Sequence, residues 1–166
     1  MKRRGLVLLL AGWVLAAHGA PRTLDWVELL PEGARATYDP APPAPLHDYL
    51  TGEASGLAAQ QVMDFTVNEA LDGAEVKLPG FIVPLELDEA GKVTEFFLVP
   101  FFGACIHVPP PPPNQLVLVT MEQGLNLDSM YTAYSITGRM SIVRTATSLG
   151  TSAYTLAGTA AEEYRF

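Results

Sequence analysis

The chain has 166 residues, 49% of them hydrophobic, and a formal net charge of −8. That is room for one domain with a modest core, in a composition too apolar for a disordered chain. The acidic balance excludes a surface built to grip the phosphate backbone of nucleic acid, which needs clustered Lys and Arg.

The first twenty residues read as an export signal and not as part of the fold. Lys2, Arg3 and Arg4 precede an apolar run from Gly5 to Ala17, and a small-residue site follows ahead of Ala20-Pro21. The run is too short for a comfortable membrane span, so an exported chain with no stable span after cleavage is expected. Its removal takes away three basic residues and no acidic ones, which leaves seven Lys and Arg against eighteen Asp and Glu, a net charge of −11. Such a surface is compatible with cations or cationic partners, and a simply solvated acidic face is the better fit. The single cysteine, Cys105, has no internal disulfide partner; in an exported protein it must be buried, metal-bound, reactive or paired to another chain.

Residues 21–72 are expected to form an N-terminal helix and a Pro/Ala/Gly-rich arm. Leu24 to Leu30 has the pattern of one short amphipathic helix, with Thr23 as N-cap, Pro31 as stop and apolar residues available to pack on the rest of the chain. Pro31 to Gln60, with Pro40, Pro42, Pro43 and Pro45, reads as an irregular arm with a brief coil at Ala58 to Val62. His47-Asp48, inside it, reads as a solvated loop pair.

Residues 73–166 carry a strand pattern. Glu75 to Leu87 is a strand with a bend or bulge at Gly80 and Pro84, Asp88 to Lys92 a hairpin turn, and Val93 to Phe101 a second strand. Leu116 to Thr120 is a short strand buried on both faces, Glu122 to Ser129 a polar connection with a short helix, and Tyr131 to Val143 a strand kinked at Gly138. A turn at Leu149-Gly150 leads to a last strand, Ser152 to Tyr164. The count predicts a mainly β fold: a small, OB-like, five-stranded, partly open barrel, with a β-sandwich as the alternative.

The chemistry concentrates between the second and third strands. If Phe102 to Val108 is extended, Cys105 and His107 share a face, since side chains alternate with period two. Thiolate and imidazole are ligand types that zinc prefers, and the missing ligands would come from His47, Glu95, Glu86, a water or another protein. Pro109, Pro110, Pro111, Pro112 and Pro113 form a stiff segment that serves either as a docking rod for aromatic grooves or as a rigid crossover. The crossover is the better fit, because the run joins two apolar strands, with Asn114 and Gln115 free to bond backbone groups that the prolines leave unpaired. No orienting acid, oxyanion motif or CxxC accompanies Cys105, so no enzyme is expected.

Leu98 to Val108, the prolines and Asn114-Gln115 resemble the hallmark of a family of exported bacterial proteins catalogued only as a domain of unknown function. Leu78 to Leu85 and Leu24 to Leu30 are similar to the same family. The resemblance implies a context: members are encoded beside ABC transporters of the MacB or lipoprotein-release type, in zinc-responsive clusters of Gram-negative bacteria. It therefore implies a periplasmic accessory protein in zinc homeostasis or uptake, with Zn2+ as a ligand at Cys105 and His107. The partners implied are periplasmic parts of the transporter or a zinc-binding protein. The rival reading is a metal-free interaction module that docks through the Cys-His stretch and the prolines, with Asn114 and Gln115.

Overall fold

Strand β2, Glu75–Leu87, is the spine of the molecule, long enough to pair with two partners in succession. The computed structural model describes residues 20–38, 61–105 and 109–165. The first half of β2 pairs antiparallel with β5 (Ala133–Ser141), from Glu75 opposite Arg139 to Phe81 opposite Ala133. Its second half pairs with β3 (Val93–Val99), from Phe81 opposite Val99 to Leu87 opposite Val93. The change of partner falls at Gly80, where a Cβ would lie 2.7 Å from the Val99 carbonyl oxygen and 3.0 Å from the Trp26 ring. Only glycine lets three backbones and a tryptophan meet there.

The remaining strands complete the ring. β3 pairs antiparallel with β4 (Val117–Leu125), β4 pairs parallel with β8 (Tyr154–Tyr164), and β8 pairs antiparallel with β5. The sequence β2-β3-β4-β8-β5 thus returns to β2 and closes a five-stranded barrel. The OB-like expectation is met, and the pairing of β5 with β2 closes the barrel that was expected to be partly open. Outside the ring, β1 (Arg22–Thr23) runs parallel to the start of β2, while β6 (Thr145–Ala146) and β7 (Thr151–Ser152) make a two-stranded flap.

Inward-facing side chains fill the barrel: Val76, Leu78 and Ile82 from β2, Phe96 and Leu98 from β3, Val117, Val119 and Met121 from β4, with matching residues of β5 and β8. Leu24, Leu29 and Leu71 belong to the same core, so the N-terminal segment contributes directly to the barrel's packing. Burying a Leu of this kind contributes roughly 1.5–3 kcal/mol.

The local structure of that segment differs from expectation. Instead of one helix over Leu24 to Leu30, Trp26–Leu29 forms a single 3-10 turn, and a four-residue helix, α1 (Glu32–Arg35), follows Pro31. Asp25 rather than Thr23 is the N-cap, its N–H donating to the Glu28 carboxylate at 2.9 Å, because Thr23 is held in β1 beside Lys77. Tertiary bonds replace helical ones here: Trp26 Nε1 donates to the Pro79 carbonyl at 2.7 Å, and Leu24 N–H to Lys77 O at 2.9 Å. Glu122 to Ser129 holds no short helix; β4 runs on through Leu125, reaching Val93 of β3. His47, Asp48 and most of the arm lie outside the described residues.

Candidate functional site

The described parts of the β3–β4 connection, residues 100–105 and 109–116, fold back over the barrel instead of extending from it. On the outer face of β2, β3 and β4, the side chains of Val83, Phe97, Val99 and Leu118 form a second buried apolar cluster. Ala104, fully buried, and Leu116 belong to it, with Phe81, Leu85, Phe101 and Cys105 packed against it. Phe97 sits at its middle, flanked by Val83 on β2 and Leu118 on β4 in the strand register. An outward strand face as apolar as this needs a cover, and the chain's own connection supplies it.

The strand expected over Phe102 to Val108 does not form in its described part, Phe102 to Cys105. Phe101 to Cys105 is a turn, with Gly103 at φ 87° and Cys105 at φ 64°. Left-handed backbone costs a non-glycine residue about 1–2 kcal/mol, so packing of Ala104 and Phe101 into the apolar cluster must hold Cys105 there. The period-two argument for a shared Cys105–His107 face fails with the strand, and His107 itself, with Ile106 and Val108, lies outside the described residues.

Cys105 is half-buried against hydrocarbon, and burial pushes its thiol from the usual 9.0 up to about 12. At neutral pH it is therefore a thiol, and an electrophile finds little thiolate to react with. Among the described residues, no three His, Cys, Asp or Glu side chains gather closely enough to hold a metal ion. Glu86 and Glu95 lie opposite one another on β2 and β3, as a neighbouring pair of like charges without Cys105. The described residues thus offer one donor, Cys105, where a zinc site takes four, and His47 and His107 lie outside them.

The prolines and the two amides face inward. Pro111 and Pro113 are buried, while Pro109, Pro110 and Pro112 are half-buried. Their carbonyls are engaged: Gln61 Nε2 donates to Pro111 O at 2.7 Å, and Ala153 N–H to Pro113 O at 2.8 Å. Pro113–Gln115 closes as a 3-10 turn rather than continuing a rod. Asn114 Nδ2 donates to Thr66 O at 3.0 Å and Gln115 Nε2 to Trp26 O at 3.2 Å, each serving a backbone carbonyl of the N-terminal segment. Among the described residues, the Oε1 of Gln115 is buried with no donor. This is a crossover that staples the segment before β2 to β4 and β7.

One cluster escaped the sequence reading. The ring of Phe102, at the tip of the turn, stacks on Tyr131 with centroids 4.8 Å apart and planes at 28°. Phe81 meets Phe102 edge-on at 6.0 Å and 69°. Phe102 is 43% exposed, Tyr131 77% and Met130 47%. Met130-Tyr131 precedes β5 and passes for the start of a strand; nothing in its spacing from Phe102, 29 residues away, announces the contact.

These features define a class: a five-stranded OB-type barrel whose outer β2–β3–β4 face is covered by its own β3–β4 connection. The face on its second and third strands is where such barrels commonly take ligands. The chain belongs to the DUF3299 family, described as proteins of unknown function, whose model matches residues 26–163. It is similar to a crystal structure of a DUF3299 family protein from Pseudomonas aeruginosa PAO1, with 43% sequence identity and a TM-score of 0.74. That likeness covers 89% of this chain and 99% of the other. No curated protein matches the chain.

Proposed function

We propose that this chain is an exported, periplasmic accessory component of a metal-homeostasis system, for zinc, which acts by docking a partner protein and not as an enzyme. One observation carries the docking part. The outer barrel face that OB-type proteins offer to ligands is filled by Phe101, Ala104 and Cys105 of the chain's own connection. What is left for other molecules is the exposed side of that connection, a surface suited to a protein more than to a small substrate. The zinc part rests on the resemblance and on the thiol and imidazole two residues apart at Cys105 and His107. On this reading any metal site is completed by the partner, a periplasmic part of an ABC transporter or a zinc-binding protein, because the described residues offer one ligand in hydrocarbon.

The test is a calorimetric zinc titration of the mature, tag-free chain beside its Cys105→Ser, His107→Ala double variant. The expected result is no tight site in either isolated protein. Near-stoichiometric binding by the wild type, lost in the variant, would make the chain a metal protein in its own right and overturn the docking account.

A further inference from the structure

We infer that Phe102 and Tyr131, with Met130 beside them, form a platform that receives a basic segment of a partner protein, with a Lys or Arg side chain over the open face of Tyr131. The inference rests on the docking reading above and deepens it by naming the surface and the chemistry of its occupant.

Three observations converge on it. The first is exposure: two rings stacked at 4.8 Å shield each other on one side only, and Tyr131 remains 77% exposed. An aromatic pair left open in this way, with Met130 47% exposed next to it, is the composition of an interface centre. The second is preorganisation. Phe102 is braced by the edge of Phe81 and carried on a turn whose backbone is left-handed at Gly103 and Cys105. Tyr131 is set by its own N–H, which donates to Ser129 Oγ at 3.1 Å, and β5 begins two residues later. Rings held in place before binding lose little conformational freedom on binding.

The third is charge. Glu163 stands opposite Tyr134 in the β5–β8 ladder, one step from the start of β5, and burial, then Asp128 and Glu163, raise the pKa of that tyrosine, which sets two carboxylates at this end of the barrel. Glu162 is paired with Lys77, and Arg165 is the cation that follows Tyr164. With residues 1–20 removed the chain carries −11, so a second copy and an anionic lipid surface are both repelled. A basic segment is attracted, and its cation gains further from the π-face of a tyrosine.

The experiment uses fluorescence anisotropy with a labelled peptide of alternating Lys and Leu and its Glu/Leu counterpart. Each is titrated against the mature wild type, Tyr131→Ala, Tyr131→Phe and, as an exposed apolar control at the opposite hairpin, Leu87→Ser. The expected result is binding of the Lys/Leu peptide alone, weakened about tenfold by Tyr131→Ala and unchanged by the other two substitutions. Equal binding to wild type and Tyr131→Ala would mean diffuse attraction to an acidic surface and would overturn the platform. So would binding of the Glu/Leu peptide, absence of binding to either, or Tyr131-dependent self-association or vesicle binding. Urea midpoints within error of wild type certify the fold of each variant. Stoichiometric zinc binding by the isolated chain would defeat the docking reading itself, whatever the peptide does.

Discussion

Cys105 and Tyr154 are two weak acids that burial keeps protonated. The Tyr154 hydroxyl donates to Leu29 O at 2.6 Å and accepts from Asn68 N–H at 2.7 Å, tying the N-terminal turns to β8. Burial pushes its pKa from 10.0 to about 12, as it pushes that of Cys105 from 9.0 to about 12. Both native values lie above the unfolded ones, so the neutral forms are favoured on folding. Their stabilisation is whole below about pH 9 and is lost as pH rises towards 12. Urea unfolding should therefore give a free energy that is flat around neutrality and falls above about pH 9, and iodoacetamide at neutral pH should label Cys105 far more slowly in the native chain than in urea. Equal labelling rates would show the thiol to be open. Tyr154→Phe should cost about 0.5–1.5 kcal/mol at neutral pH, since the Leu29 carbonyl and the Asn68 N–H lose the hydroxyl but keep each other at 3.0 Å. The unusual thiol was legible in the sequence, because an odd cysteine in a chain that begins like an exported one demands an explanation. Its geometry was not: alternation assumes extended backbone, and no residue type announces a left-handed cysteine between Ala104 and Ile106.

At the scale of elements, β2 and the Asp88–Lys92 turn emerged at their expected places. Alternating burial along Glu75–Leu87 and the turn residues after it are local signals, and local signals survive folding. β4 is longer than its sequence suggests, because Glu122, Gln123 and Gly124 look like a loop. Pairing with β3 overrides that preference, Gly124 taking φ 62°. The kink expected at Gly138 has a cause that only the barrel reveals. Gly138 and Gly158 lie opposite each other in the β5–β8 ladder, at a register shift beside Thr137. Neither needs a positive φ; both are glycine for space. A Cβ on Gly138 would sit on the Ala157 carbonyl, and one on Gly158 would lie 2.7 Å from Met121 Cγ. The two strands and β4 cannot retreat without opening the barrel. Gly138→Ala should therefore destabilise by about 3 kcal/mol, as overpacking against backbone does, and Gly158→Ala by less, because Met121 is a flexible side chain. Urea denaturation orders the two variants, and a neutral Gly138→Ala would show that the ladder yields there.

The whole molecule joins a strongly acidic surface to a barrel closed by backbone hydrogen bonds and two apolar clusters. Its stability therefore does not rest on charge pairing. Among the described residues three ion pairs are recorded, Arg22–Glu28, Lys77–Glu162 and Arg139–Glu75, each with at least one partner well exposed. Exposed pairs contribute about 0–1 kcal/mol apiece. Against them stands the self-repulsion of a net charge of −11 once residues 1–20 are removed. Salt weakens both, but repulsion acts between many charges spread over the surface and attraction between a few. Raising NaCl from about 10 mM to about 0.5 M shortens the Debye length from roughly 30 Å to a few ångströms, so it removes the long-range term almost entirely. The melting temperature of the chain without residues 1–20 should thus rise by a few degrees across that range at neutral pH. It should rise far less near pH 4.5, close to the sequence pI of about 4.7, where most of the repulsion is gone before salt is added. A melting temperature that falls with NaCl at neutral pH would mean that the surface pairs outweigh the net charge. The acidic face would then be locally compensated, and it would lose its reason to attract a basic partner.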